Sequence, residues 1–473
     1  MFKFLRKKRF IIIIVLLLII SSFGIYKFLT RNDYHKYLGH GFNYMNGYST
    51  TDFKGYHVYD DAKLFHLDHQ PSLMIENEKD MPVLDGAEAC YPVYSAVAKT
   101  IYKDIGEIEK EAKKTADEDS DIIYYNGKKV TFSNTVMAYE RLVEGSVDMV
   151  FAARPSQSQK DLASTLKEEI KTTPIGKEAF VFFVEKNNPV DNLTSEQLRA
   201  IYHGDITNWK EVGGKDQEIV AFQRPEDSGS QVMMKYFMGD VSLKEPKKVE
   251  YVGGMGEVVS EVAQYHNEKG ALGYTFKYFL TGLSQEKNVK MISIDGVAPT
   301  TETIKDGSYP LTTYLMCATL TSNQNPYVNK IIDFLLSDDG QAIIEGTGYA
   351  SLGSTQPAPI IENTPKNSTL YQRYVITNAK HKGTLTVFKV NDEVRWDYWF
   401  DYFYKLDYGD FHDKGIWWIK ESPDDDYMAV SFGHHYELDF DEQNSSIILK
   451  KVQWHGDKLD VQLPDKGAQL SHK

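Results

Sequence analysis

The stretch "FQRPEDSGSQVMMKYF", Phe222 to Phe237, joins an apolar run to a run with helical spacing. Backbone N–H groups at a helix start are unpaired, and the helix dipole is positive there. Ser228, Gly229 and Ser230 stand at that start, where hydroxyl donors and a glycine allow close approach. Arg224 adds a planar guanidinium fork four residues earlier. These residue types in this order indicate an anion-binding loop.

A structural role fits the same letters. Asp227 or Ser228 would cap the helix, and Arg224 would pair with Glu226. From this stretch alone, both interpretations stay open. A nucleophilic Ser228 has little support, because the chain has no Gly-x-Ser-x-Gly elbow and no His–Asp partner can be nominated from spacing. We therefore predict no enzyme activity.

Composition sets the class of protein. The chain has 473 residues, which predicts two or three domains, and its 42% hydrophobic and 25% charged residues indicate a globular protein. The net charge of −14 argues against general nucleic-acid binding. It does not exclude one local anion site, because nearby dipoles and charges set the potential of a pocket.

The first 31 residues form a separate predicted element. Five positive charges in "FKFLRKKR" precede the apolar run Phe10–Tyr26, whose 17 residues approach the length of a membrane span. We expect residues 1–31 to be either an uncleaved signal anchor or a signal peptide cleaved near Ser22-Phe23-Gly24. The protein is then single-pass in the cell membrane with its bulk extracellular, or secreted. No Cys follows the apolar run, which excludes a lipoprotein-type anchor.

Strands alternate with helices from 81 to 364, which predicts an α/β fold with a large parallel component. "TSEQLRAIYHGD", Thr194 to Asp205, is a predicted helix with a capping box. "KKVTFS", Lys128 to Ser133, is a predicted strand, and Pro326 to Gly348 a single long helix. Residues 32–80 are predicted to be a linker followed by short strands.

The last part of the chain is richer in tryptophan than the rest. Five of the six tryptophans lie in 365–473, a predicted β-rich domain: Trp396, Trp399, Trp417, Trp418 and Trp454. The aromatic run "EVRWDYWFDYFYKLDYGDF" has spacing that suits either a strand or a helix. It would build a compact core, or else engage a partner, a sugar or the cell wall.

Metal and cysteine chemistry have weak signals. His66 and His69 would share a helix face, but no further ligand is placed convincingly, and hydrogen-bonded histidines are the simpler interpretation. Cys90 and Cys317 are far apart in sequence and are buried thiols or, after export, a disulfide. We predict no metal and no cofactor.

Several segments together resemble the phosphate-binding proteins that feed ABC importers. "RPEDSGSQ" is similar to the family's ligand loop, with Arg followed four residues later by Ser-Gly-Ser/Thr. "LTSEQLRAIYHGDITNW" is the most recognisable part, and "GALGYTFKYFL" resembles the family's Gly-x-Gly-Tyr segment. "DGAEACYP" resembles the first ligand loop, and "VDMVFAARPSQSQ" the segment that ends in a third. The likeness covers about 81 to 358.

The resemblance implies a two-lobed type II periplasmic-binding-protein fold, whose ligand lies between lobes that close about a hinge. We expect crossings near Thr172 and Gly296. Lobe 1 then comprises about 81–172 and 297–364, and lobe 2 about 173–296.

The resemblance also implies the site. Candidate ligand-binding residues are Arg224, Ser228, Gly229, Ser230, Ser133, Thr135, Ala87, Glu88, Ala89 and Arg154. Two of them depart from the family's pattern. Glu88 stands where the family often has Thr or Ser, and would repel an anion if it pointed into the cleft. Arg154 and Pro155 replace the family's third-loop carboxylate. Three alternatives stay open. Glu88 and Arg154 would pair across the cleft, or the cleft would bind a different ligand, or it would have lost its ligand-binding function.

The expected function is extracytoplasmic capture of an oxyanion, phosphate first, for uptake by an ABC permease. Residues 10–26 would attach the protein to the cytoplasmic membrane, and no nucleic acid is expected as a partner. The alternative is a membrane-anchored envelope signalling or interaction protein with a degenerate cleft. A third possibility is a carbohydrate- or cell-wall-binding module in the tail.

Overall fold

The computed structural model describes residues 53–118, 127–224, 227–246, 255–264, 270–353 and 357–365, and eight strands between 370 and 472. The predicted membrane segment lies outside these residues. Within the part of the chain that the structure describes, no helix has the length and apolar character needed to cross a membrane.

Ten α-helices are described: α1 Tyr91–Ile101, α2 Ile105–Glu118, α3 Thr135–Glu144, α4 Gln157–Thr165, α5 Ser195–His203, α6 Gly229–Met238, α7 Met255–Gln264, α8 Thr301–Lys305, α9 Tyr327–Leu336 and α10 Asp338–Thr347. The strands up to residue 365 are β1 Leu84–Gly86, β2 Met149–Ala152, β3 Ile170–Glu185, β4 Asn192–Leu193, β5 Ile219–Ala221, β6 Gly270–Phe276, β7 Val289–Met291, β8 Ser293–Ile294, β9 Thr312–Leu320 and β10 Ile360–Ile361.

One long strand organises the central sheet. The strand order is β1-β2-β9-β3-β6-β5, and β7 and β10 also pair with β3. The β1–β2 and β5–β6 pairs are parallel, whereas β3 pairs antiparallel with β9 and β6. The fold is therefore mixed α/β, and the parallel component predicted from the sequence is smaller than expected.

Two hydrophobic cores lie along β3 and β9, one for each lobe. On β3, Ile175 belongs to the first core and Ala179 to the second. Where the chain comes back to the first core, Tyr309, just before β9, belongs to the second core and Leu315 of β9 to the first. The pairing of β3 with β9 shifts register between Pro174 and Gly176, at the same level. Two strands thus connect the lobes at one level, which is the geometry of a hinge.

Local signals at helix starts are accurate. Gln197 N donates to Thr194 Oγ1 at 3.0 Å, and Thr194 N donates to Gln197 Oε1 at 2.9 Å. This confirms the predicted capping box of α5.

Two other predicted elements are wrong. The single late helix is two helices, because Ser337 is extended and its hydroxyl accepts from Gly340 N, which begins α10. Segment 128–133 forms only an isolated bridge, between Val130 and Leu84, instead of a strand.

The segment 53–80 packs onto the first lobe. It contains turns, a 3-10 turn and isolated bridges instead of the predicted short strands, and Val58, Leu64 and Ile75 are buried in the first core. His69 hydrogen-bonds through Nδ1 to Asp68 and through Nε2 to Asp339. Among the described side chains, no three His, Cys, Asp or Glu are arranged to hold a metal ion.

Both cysteines are buried free thiols. Burial raises the pKa of the Cys90 and Cys317 thiols well above the usual range, which keeps them protonated. Of the two alternatives, the structure shows the buried thiols.

Eight C-terminal strands close on themselves as one antiparallel sheet, in the order β11 to β18. They are β11 Leu370–Thr377, β12 Lys382–Lys389, β13 Tyr402–Tyr408, β14 Phe411–Trp418, β15 Met428–Val430, β16 Tyr436–Asp441, β17 Ser446–Lys451 and β18 Ala468–His472. Trp417 and Trp418 lie on β14. Trp396, Trp399 and Trp454 lie outside the described residues.

Candidate anion-binding site

The second-lobe loop ends in a capped helix. Ser228 is the N-cap of α6, and its side chain accepts from Gln231 N at 3.4 Å. The capping role is therefore real. It does not compete with anion binding, because a capped helix start still presents the N–H groups of its first turn and its positive dipole end.

Arg224 brings a buried positive charge to this loop. The residue is 3% exposed, and its backbone N–H reaches Gln231 Oε1 at 3.2 Å and Tyr274 Oη at 3.1 Å. Its side-chain Nε and Nη1 have no hydrogen-bond partner among the described residues, and neither has the fully buried Ser230 Oγ. Buried donors without acceptors are costly. They mark a position where a group with negative charge and several acceptors would be stabilised.

The first-lobe loop contains a strained residue. Asn134, the N-cap of α3, has φ 154° and ψ 177°, a region that residues other than glycine rarely adopt. Such a conformation costs on the order of 1–3 kcal/mol and is typical of functional sites. Its Oδ1 accepts from Met137 N at 3.1 Å, while its buried Nδ2 has no partner within the described part of the chain. Asn134 was not predicted from the sequence as a site residue.

Ser133 does not present its hydroxyl hydrogen to the cleft. Ser133 N donates to Asp85 Oδ1 at 2.9 Å, and Ser133 Oγ donates to Asp85 Oδ2 at 2.7 Å. Its role as a direct ligand stays a prediction, and Asp85 is a second residue of these loops that was not predicted from the sequence.

The two helix starts meet across the cleft. A Cβ at Gly229 would lie 3.1 Å from Thr135 Oγ1 and 3.6 Å from Ala153 Cβ, so only glycine allows this approach without a shift. Beside this contact, Ser158 Oγ donates to Asp227 Oδ1 at 2.5 Å, between α4 and the loop before α6. The N-termini of α3 and α6 are thus adjacent, and the lobes are closed.

The turn after β1 has one N–H that is used within the first lobe. Ala87 N donates to Phe151 O at 2.8 Å, so this N–H is already used within the first lobe. The Ala89 carbonyl accepts from Tyr349 Oη at 2.7 Å, and Ala89 packs in the second core. Glu88 is 5% exposed in the same turn. The turn therefore lies at the junction of the lobes.

Arg154 has an acidic partner that the sequence did not predict. Its Nε lies 3.5 Å from Glu362 Oε1, a distance that fits an ion pair better than a hydrogen bond. Glu362 also contacts Lys160 Nζ at 3.2 Å and accepts from Thr172 Oγ1 at 2.5 Å. The ion pair seen for Arg154 is thus with Glu362, within lobe 1, and the pairing with Glu88 considered from the sequence stays a prediction.

A buried carboxyl lies at the hinge. Glu178 of β3 accepts from Ala179 N at 2.7 Å and from Tyr278 N at 3.3 Å. Burial raises its pKa to about 7, although these two hydrogen bonds oppose the shift. The Tyr278 ring packs on the Tyr349 ring at 4.6 Å, and Tyr349 holds the Ala89 carbonyl. The hinge and the first ligand loop are therefore linked through two tyrosines.

Two lobes on a two-strand hinge, with buried donors at facing helix starts, define a solute-binding protein of the two-lobed class. Residues 86–339 match the model of the PBP superfamily domain. The chain belongs to the PBP superfamily and, within it, to the family of the phosphate-binding protein PstS.

Two relatives illustrate this assignment. The phosphate-binding protein PstS of Staphylococcus aureus strain MRSA252 is 30% identical over 254 residues, which cover 52% of this chain and 74% of the relative. PstS of Borreliella burgdorferi is 29% identical over 205 residues, which cover 41% of this chain and 71% of the relative.

One solved structure is also similar. It is a putative phosphate ABC transporter substrate-binding protein with bound phosphate from Clostridium perfringens. The identity is 26%, the match covers 57% of this chain and 98% of that one, and the TM-score is 0.43.

The hinge carboxyl predicts a pH dependence. Because the pKa of Glu178 is about 7 in the folded protein and 4.5 is the ordinary value, the folded state binds the proton more tightly. The free energy of unfolding should therefore fall as pH rises from about 4.5 to about 7, by up to about 3 kcal/mol. Glu178→Gln should lack this decline, as measured by denaturant unfolding at several pH values. The control is Glu196→Gln at an exposed site. Parallel curves for Glu178→Gln and the unsubstituted protein would refute the assignment.

Proposed function

We propose that this chain is an extracytoplasmic solute-binding protein that captures an oxyanion, phosphate first, between its lobes and presents it to an ABC permease. The observation that carries the proposal is the set of buried donors on residues flanking the Gly229–Thr135 contact. These donors are Arg224 Nε and Nη1, Ser230 Oγ and Asn134 Nδ2.

The chemistry of these donors selects the class of ligand. Guanidinium, hydroxyl and amide hydrogens all seek acceptors, and both adjacent helix ends favour negative charge. A compact oxyanion with several acceptor oxygens satisfies them together, whereas a cation or an apolar solute satisfies none. The relatives are named as phosphate-binding proteins, which supports phosphate as the first ligand to test and binding without covalent chemistry.

The remaining parts of the chain complete this proposal. Residues 10–26 would tether the protein to the membrane or be removed as a signal peptide, with the bulk outside in either case. Residues 365–473 would form a separate β-rich domain. We do not favour the alternative of an interaction protein with a degenerate cleft, because the buried donors at the cleft remain in place.

Removing the guanidinium tests the ligand site. The unsubstituted chain should bind phosphate in calorimetric titrations, and Arg224→Ala should weaken binding by about 100-fold or more, because a buried charge partner is lost. Arg199→Ala is the matched control, since Arg199 contacts Phe237 away from the cleft. Sulfate and arsenate titrations define selectivity. No heat with any of the three anions would support the interaction alternative instead.

The bond between the lobes predicts a kinetic effect. Ser158→Ala removes the hydrogen bond to Asp227 that exists between closed lobes. Phosphate should then dissociate about 3- to 10-fold faster, in line with a net loss of about 1 kcal/mol for one partly buried hydrogen bond. Stopped-flow release measures this rate. Ser164→Ala, on the same helix but bonded to Lys160 O, should release phosphate at the unsubstituted rate. Equal rates for both variants would show that Asp227 and Ser158 do not stabilise closure.

A further inference from the structure

Asp85 joins the two first-lobe loops at a single buried carboxylate. It lies on β1 and is 0% exposed. Its Oδ1 accepts from Gly86 N at 2.8 Å and from Ser133 N at 2.9 Å, while its Oδ2 accepts from Ser133 Oγ at 2.7 Å. Gly86 begins the turn that leads to Glu88, and Ser133 precedes the strained Asn134. One side chain thus fixes both loops relative to each other.

The charge of Asp85 is neutralised behind the loops. Arg141, on the last turn of α3, donates from Nη1 to Asp85 Oδ2 and also to Thr131 Oγ1 at 3.0 Å. Thr131 Oγ1 in turn donates to Leu84 O at 2.9 Å. A buried carboxylate without a cation would repel an anion nearby, but a carboxylate paired with a guanidinium adds no net charge. The pair can therefore hold the loops without opposing the ligand.

The strain at Asn134 requires such an anchor. An unfavourable backbone conformation persists only where surrounding contacts over-determine it. On one side, Ser133 is held to Asp85 by two hydrogen bonds, and on the other, Asn134 Oδ1 caps α3 through Met137 N. Together these contacts leave Asn134 Nδ2 buried without a partner among the described residues.

From this geometry we infer that Asp85, paired with Arg141, is a positioning residue that holds both first-lobe loops for the anion, and that Ser133 acts on the ligand only through Asp85. The inference rests on the proposed function. It assigns Asp85 no contact with the ligand.

The test combines binding with amide exchange, on the full chain. Asp85→Asn keeps the shape of the side chain but sets an amide against Arg141. Phosphate binding should weaken about ten-fold, the equivalent of one charge-assisted hydrogen bond. In the protein without phosphate, amide hydrogen exchange should accelerate at 86–90 and at 133–137 while 228–231 stays unchanged. Ser133→Ala keeps the ion pair between Asp85 and Arg141. It should weaken phosphate binding and accelerate amide exchange at the same loops, but to a smaller extent. This variant replaces Asp85→Asn in the test if Asp85→Asn does not fold.

Asp148→Asn is the matched control. Asp148, just before β2, accepts from Val83 N at 2.7 Å and from Asn323 Nδ2 at 2.8 Å, at the end of β1 opposite to the loops. It should change neither phosphate affinity nor exchange at 86–90 and 133–137. The inference is wrong if the Asp85 and Ser133 variants leave amide exchange unaltered at either loop. It is also wrong if amide exchange accelerates while phosphate affinity stays the same. If the unsubstituted chain binds no phosphate, the proposed function fails, and exchange still decides whether Asp85 joins the loops.

Discussion

Two helix starts of like partial charge face each other in this protein, with a buried guanidinium nearby. The N-termini of α3 and α6 meet where Gly229 approaches Thr135, and each carries the positive end of a helix dipole. Arg224 adds a full positive charge that is 3% exposed. Like charges repel, so negative charge between these groups stabilises the arrangement. The rest of the architecture positions these groups and lets them separate.

The two strands of the hinge, β3 and β9, allow the lobes to move apart. Because β3 runs from one core to the other and β9 pairs with it from Ile170 to Ala179, the lobes share a continuous ladder whose register shifts beside Gly176. Bending there leaves both cores intact. Glu178 lies next to this shift and is buried, so its ionisation is coupled to how the lobes pack. Tyr278 connects the same carboxyl to the first core.

Features coded by neighbouring residues could be predicted from the sequence, and features made by distant residues could not. The capping box of α5 depends on residues within one turn. The family motif placed Arg224 and the Ser-Gly-Ser start of α6 correctly in one loop. By contrast, the bonds from Ser133 to Asp85 and the Arg154–Glu362 ion pair join residues far apart in sequence, so no local sequence pattern predicts them. The position of β9 in the sheet likewise depends on pairing with β2 and β3, which are distant in sequence.

The contacts that join the lobes are suited to a reversible closure. Among the described residues they include the Ser158–Asp227 hydrogen bond, the packing of Ala89 and Ala153 in the second core, and the exposed ion pair between Lys305, next to Ile304 of the second core, and Glu345, next to Ile344 of the first core. An exposed pair of this kind contributes at most about 1 kcal/mol, and small side chains bury little area. A ligand can shift an equilibrium only by the difference in its affinity for the two states. Because these contacts are weak, the anion itself can supply most of the free energy that keeps the lobes closed. The closed conformation is then populated mainly when the anion is bound.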